Sequence, residues 1–155
     1  MAEKNKEVKI LNDANKIYGE YYESHREKVE ELLDYLSQHF STIVIWGAGL
    51  KGKSFLYHFD SNAHSIDCVI DMDVEKEGTE LFTGHKVHGI QSLNEDNIII
   101  VINDNYYPSI CFSLIDNGFD IKEMKIICID HFIDGIFDIN DVKESKIWER
   151  KRYYD

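Results

Sequence analysis

The sequence predicts an α/β fold: a parallel sheet of strand order 3-2-1-4-5 flanked by helices, preceded by an N-terminal helical arm. Three observations carry that expectation. Short continuous apolar runs, Ile43-Val44-Ile45-Trp46 and Ile98-Ile99-Ile100-Val101-Ile102, have the length of strands buried on both faces. Segments of helical apolar spacing alternate with such runs. The first run leads straight into a glycine-rich turn that opens a helix.

From about Glu7 to Phe40, Ile17, Tyr21, Val29, Leu32, Leu33 and Leu36 recur at helical spacing. A break is expected near Glu23-Ser24-His25, with Ser24 capping a second helix. This polar arm, residues 1–40, is expected to pack on the sheet or on another subunit. Residues 41–155 complete one compact domain. The strand Thr42 to Trp46 is followed by a helix from about Leu50 to Phe59 that buries Phe55, Leu56 and Phe59. Ile66 to Asp71 reads as the second strand and ends in an acid. A loop with Gly78, Gly84 and Gly89 holds a short third strand around Val87. After the fourth strand, Pro108 opens a helix through Ile115 that Gly118 is placed to end. Lys125 to Asp130 makes the fifth strand, and Asp141 to Arg150 a terminal helix.

A chain of 155 residues, 43% hydrophobic and 30% charged, suits one globular domain. A domain of this size buries roughly 68–70% of its unfolded surface, enough for a core without disulfide or metal. The formal net charge of −12 repels nucleic acid and anionic membranes, so neither is an expected partner. The short basic stretch Lys146 to Arg152 reads as a solvated helix end. No apolar run approaches the roughly 18 residues of a membrane span. Met1 to Lys9 has mixed charge and no apolar h-region, so the cytoplasm is the expected location. Cys68, Cys111 and Cys128 lack metal-ligand spacing and are expected to be buried, reduced thiols.

The chemistry centres on Gly47-Ala48-Gly49-Leu50-Lys51-Gly52, which matches G-x-G-x-x-G between a strand and a helix, as in a Rossmann-like nucleotide-binding turn. The first glycine permits the tight turn, the second lets a ligand approach the backbone, and the third allows close helix–strand contact. The helix N-terminus then offers N–H groups to a phosphate. The same glycines would also serve a tight turn that holds no ligand. Roughly 20 residues on, Asp71 stands where an acid accepts hydrogen bonds from ribose hydroxyls. Asp73 follows, and one of the two acids can instead cap the next segment. Asp71-Met72-Asp73 also spells the D-x-D that holds a divalent metal against a diphosphate. The glycine loop upstream favours ribose, and no metal is expected.

Lys51 within the loop faces a phosphate or carboxylate, or solvent. Asn103, Asn105 and Tyr106, with Asp104 and Tyr107, follow the fourth strand and either line a ligand crevice or cap a helix. His58, His85 and His88 have no nucleophile or metal partner in sequence and are expected on the surface or the sheet edge. With no G-x-S-x-G, P-loop or C-x-x-C motif, no catalytic residue is assigned.

The runs Gly47 to Lys53 and Asp71 to Gly78, followed by Gly84-His85-Lys86-Val87, resemble the C-terminal domain of sugar C-methyltransferases, where a G-x-G-x-K-G-like loop and a D…K-x-G segment recur. A similar run occurs in the N-terminal nucleotide-sugar-binding domain of bacterial sugar acetyltransferases, and in accessory domains beside methyltransferases and glycosyltransferases of surface-polysaccharide pathways. The resemblance spans Ile43 to about Asp130 and implicates Gly47, Gly49, Lys51, Gly52 and Asp71 in ligand binding. No S-adenosylmethionine-dependent catalytic domain, left-handed β-helix or zinc-binding N-terminal module is expected within these 155 residues, and the charged helical arm has no counterpart in the resemblance.

Together these readings imply a nucleotide or nucleotide-sugar binding module, accessory to a transferase in surface-polysaccharide or sugar-modification metabolism, rather than a complete enzyme. Its ligand classes are nucleotide-sugars, NAD(P) and S-adenosylmethionine; its protein partners are a transferase or a second copy of the chain. One alternative is a small NAD(P)-dependent oxidoreductase, but Tyr106 and Tyr107 lack a lysine one helical turn on. The half-size sheet also leaves little room for a nicotinamide half. The other alternative is a non-catalytic oligomerisation protein built on the arm.

Overall fold

The computed structural model describes residues 2–144. The arm consists of α1 (Ala2–Ser24) and α2 (Arg26–His39). The break falls at His25, yet Ser24 does not cap α2. Its hydroxyl donates back to the Tyr21 carbonyl at 2.9 Å, and His25 Nδ1 donates to the same oxygen at 2.8 Å. Both side chains therefore satisfy the last turn of α1 and leave α2 without a side-chain cap.

The sheet contains β1 (Ile43–Trp46), β2 (Cys68–Ile70), β3 (Val87–His88), β4 (Ile98–Val101) and β5 (Lys125–Cys128), all parallel, in the order β3-β2-β1-β4-β5. That is the order the sequence predicts. The helices between and after the strands are α3 (Leu50–Phe59), α4 (Tyr107–Asp116), α5 (Ile129–Ile133) and α6 (Ile139–Lys143).

Successive side chains of a strand point to opposite faces, and the two cores follow from that period. Ile43 and Ile45 of β1, with Ile98 and Ile100 of β4, meet Phe55 and Leu56 of α3 and the arm residues Tyr22, Val29, Leu32 and Leu36. Val44, Trp46, Ile99 and Val101 turn the other way and meet Ile110 and Leu114 of α4. The arm thus shares one core with the sheet. It is pinned on α3 by Ser54 Oγ donating to Asn15 Oδ1 at 2.8 Å and Arg26 donating to the His58 carbonyl at 3.0 Å. The Arg26 fork and the His58 ring nitrogen lower the Glu23 carboxyl to about 2.

Several elements depart from the sequence expectation. The fifth strand ends at Cys128, not Asp130, because Ile129, Phe132 and Ile133 turn into the arm-side core as α5. Asp130 is carried into the first turn of that helix. The terminal helix begins at Ile139, where Asp138 and Asp141 form a capping box; the part of the predicted helix beyond Glu144, with the basic stretch, lies outside the described residues. All three cysteines are free thiols, but only Cys128 is buried; Cys68 and Cys111 are half-buried. His58 lies under the arm, its Nδ1 2.8 Å from Glu23. His85 is fully buried, its Nε2 donating to Asp60 Oδ2 at 2.8 Å with Thr83 Oγ1 2.7 Å from Nδ1. A buried imidazole needs both nitrogens satisfied; Thr83 is two residues away in the same loop, but Asp60 comes from the C-cap of α3, 25 residues upstream. His88 is exposed, as expected. Among the described residues no helix is long and apolar enough to cross a membrane.

Candidate ligand-binding site

The register aligns Trp46 of β1 with Ile70 of β2 and Val101 of β4, so three strands end at one level. From there β1 feeds α3 on the arm face and β4 leads to α4 on the opposite face. Divergence of two neighbouring connections opens a gap above the strand ends, the switch point of an open α/β sheet. A crevice of about 660 Å³ occupies it, within the usual range for small-molecule sites.

The glycine loop forms one wall, and each glycine there has a distinct reason. Gly47 has φ +133° and donates its N–H to the Ile70 carbonyl at 2.9 Å, a conformation that L side chains rarely adopt. At Gly52 a Cβ would lie 1.9 Å from the Gly47 carbonyl oxygen, so only hydrogen fits where α3 crosses the loop. At Gly49 a Cβ would meet nothing within 4 Å, because that position faces the open crevice. Gly49 is also the N-cap of α3, with no side chain capping the helix and no acid in its first turn. The N–H groups that begin a helix have no carbonyl of their own, and here no side chain substitutes.

Asp71 lines the crevice, and its carboxylate holds the loop in place. Oδ2 accepts the Ala48 N–H at 2.8 Å and Oδ1 accepts the Asp73 N–H at 2.8 Å. A carboxylate has about four acceptor positions, so capacity for a ligand hydroxyl remains. Asp73 accepts from the Glu75 N–H at 3.0 Å and caps the 3-10 turn Val74–Lys76. The capping alternative therefore describes Asp73. Among the described residues no group of three or more His, Cys, Asp or Glu side chains is arranged to hold a metal ion.

Lys51 lines the crevice but does not point into solvent. Its ammonium is ion-paired with Asp130, whose other oxygen accepts the Tyr21 hydroxyl at 3.1 Å. The rings of Tyr18 and Tyr21 flank it at 6.0 and 5.8 Å. Burial, with the Asp130 charge, pushes the Tyr21 hydroxyl well above its ordinary value. Three elements that are far apart in sequence, α1, α3 and α5, meet at this lysine.

Asn103 and Tyr106 stand on the β4 side. Asn103 lines the crevice while its Oδ1 accepts the Asn105 N–H at 3.1 Å and caps the following 3-10 turn. Tyr106 lines it with 62% of its surface exposed. Asn105 is exposed and does not line the crevice. The structure therefore brings Gly47, Gly49, Lys51, Gly52, Asp71, Asp73, Asn103 and Tyr106 to one cavity and leaves Asn105 outside it.

Sequence reasoning missed Tyr18, Trp46, Met72, Lys76 and Ser109, which also line the crevice. Trp46 reads as a strand end, yet among the described residues its Nε1 is one of three buried side-chain polar atoms without a hydrogen-bond partner. Tyr18 comes from the arm and carried no signal beyond its place one turn before Tyr22. Lys76 sits inside the D…K-x-G segment, which marked the stretch without giving the lysine a task.

A family model described as the C-methyltransferase C-terminal domain matches residues 2–102, from the arm to just past β4. The match includes the glycine loop, Asp71 and Lys76, and stops short of Asn103 and Tyr106. No curated protein matches the chain.

Proposed function

Because the chain belongs to the family of C-methyltransferase C-terminal domains, we propose that it is a binding module holding a nucleotide or nucleotide-sugar at the glycine loop. In this reading it serves a transferase in sugar-modification or surface-polysaccharide metabolism. The observation that carries the reading is the open face at Gly49. A helix N-terminus without side-chain cap or acid meets a cavity of ligand size at the switch point. An anionic phosphate group would satisfy the first N–H groups of α3. Asp71 would offer its remaining acceptor positions to ribose hydroxyls, and Tyr106 and Tyr18 flank the space for a base or sugar.

The test is a thermal-shift panel of nucleotide-sugars, NAD(H), NADP(H) and S-adenosylmethionine. A ligand at about 100 times its dissociation constant adds ~2.7 kcal/mol of stability. For a chain of this length that raises the midpoint by roughly 5–10 °C. The proposal expects a nucleotide-sugar to produce the shift and Gly49→Asp to abolish it. Aspartate is a good N-cap, so the variant keeps its fold while placing a carboxylate where the anion would sit. A shift with NAD(P) alone would favour redox chemistry, and no shift with any member would sink the nucleotide reading.

A further inference from the structure

The geometry points to Lys76, not Lys51, as the side chain that meets the anionic group of a ligand in this crevice. The inference rests on the reading of the crevice as a nucleotide site and names a recognition residue within it.

Three lysines surround the glycine loop, and two of them are already committed. Lys51 is held by Asp130 between two tyrosine rings, with 17% of its side chain exposed. Moving it toward a phosphate would strand the Asp130 carboxylate and the Tyr21 hydroxyl bonded to it. Lys53 donates to the Ala48 carbonyl at 2.6 Å. Burial, with the nearby Lys76 charge, holds its ammonium below the ordinary lysine value, and it does not line the crevice. Lys76 lines the crevice with 40% of its side chain exposed, and its ammonium stands 3.8 Å from Asp71 Oδ2. That distance is an ion-pair contact too long for a hydrogen bond, so all three of its donors remain available.

The position also answers an electrostatic difficulty. An anion bound at the start of α3 would lie close to the Asp71 carboxylate, which holds Ala48 and the loop. An ammonium beside that carboxylate offsets the repulsion and adds a charge-assisted hydrogen bond of its own.

The experiment titrates wild type, Lys76→Ala and Lys76→Arg with UDP-glucose, dTDP-glucose and GDP-mannose, and with uridine, thymidine and guanosine, which carry no phosphate. For the nucleotide-sugar that binds wild type, Lys76→Ala is expected to weaken affinity about tenfold, the loss of one partly exposed charge-assisted bond. Binding of the parent nucleoside and the thermal midpoint stay unchanged, and Lys76→Arg recovers most of the loss. Lys76→Ala binding like wild type, or losing nucleoside and nucleotide-sugar equally, overturns the assignment and leaves the crevice reading standing. Wild type binding none of the three nucleotide-sugars defeats the crevice reading, and the Lys76 assignment with it.

Discussion

Replacing Gly52 with alanine would place a Cβ 1.9 Å from the Gly47 carbonyl oxygen and 2.9 Å from its carbonyl carbon. Both atoms are backbone, and Gly47 is itself held by its N–H to Ile70 and by its φ of +133°. The strain cannot be relieved by rotating a side chain, so either α3 lifts from the loop or the loop shifts from β2. Overpacking of this kind costs about 3 kcal/mol, the upper part of the usual range. Against it stands a gain of about 1 kcal/mol, because alanine favours a helix interior over glycine. The net loss of about 2 kcal/mol corresponds to roughly 4–8 °C in a chain of this length. Thermal denaturation followed by circular dichroism measures it, with Gly49→Ala as the companion. At Gly49 no atom lies within 4 Å and φ is −77°, so the companion loses only the N-cap preference, ~0.5 kcal/mol. A Gly52→Ala protein melting at or above wild type would refute the reasoning, since helix propensity would then outweigh the close approach.

Asp60 anchors the loop after α3 by accepting the N–H groups of His64, Ser65 and Ile66 and the ring of His85. Burial alone would raise its carboxyl, but those hydrogen bonds outweigh it and hold the group below its ordinary value of 3.8. A depressed carboxyl contributes stability that is complete above 3.8 and is lost as pH falls through the lower folded value. Asp60→Asn is expected to cost about 1–3 kcal/mol at pH 7 and to flatten the acid limb below about pH 4; parallel pH profiles of the two proteins would contradict this. Burial, assisted by the Asp67 charge, pushes the Cys68 thiol up to about 11, and burial also raises Cys111. Reaction with Ellman's reagent at pH 8 should therefore run ~10–100-fold slower in the native protein than after denaturation; equal rates would show that the thiols are not shielded. Tyr21→Phe removes the hydroxyl on Asp130 and should cost about 1.5 kcal/mol, whereas Lys51→Met strands that carboxylate and should cost about 3 kcal/mol. Urea denaturation ranks the two, and the reverse order would argue against the ion pair as the tie between α1, α3 and α5.

The parts legible in the sequence are those where the physics is local. Ile43–Trp46 and Ile98–Val101 read as doubly buried strands because no polar residue interrupts them, and the whole strand order follows from alternation with helices. The bounds of α3 were legible too, since Gly49 and Phe59 enclose the apolar spacing. Other features depend on partners far along the chain. Lys51 meets Asp130, 79 residues away, only because the chain leaves β5 early and enters α5. Asp71 reaches back 23 residues to Ala48, so the acid expected to hold a ribose also holds the loop. His85 looked like an edge residue because Asp60, its buried partner, lies 25 residues upstream at the C-cap of α3. In each case a residue's type was visible, but the loop geometry that commits it was not.

The central claim, that the crevice at Gly49 is a working nucleotide site, has a reporter built into its wall. Trp46 lines the cavity, and the chain has one other tryptophan, Trp148. In a Trp148→Phe background, fluorescence of Trp46 can be followed while the nucleotide-sugar from the thermal panel is added. The account expects a saturable change in the emission of Trp46, at a midpoint matching the thermal-shift affinity, and no change in the same protein carrying Gly49→Asp. Saturation that persists unaltered in Gly49→Asp would contradict it, because the ligand would then be binding away from the glycine loop.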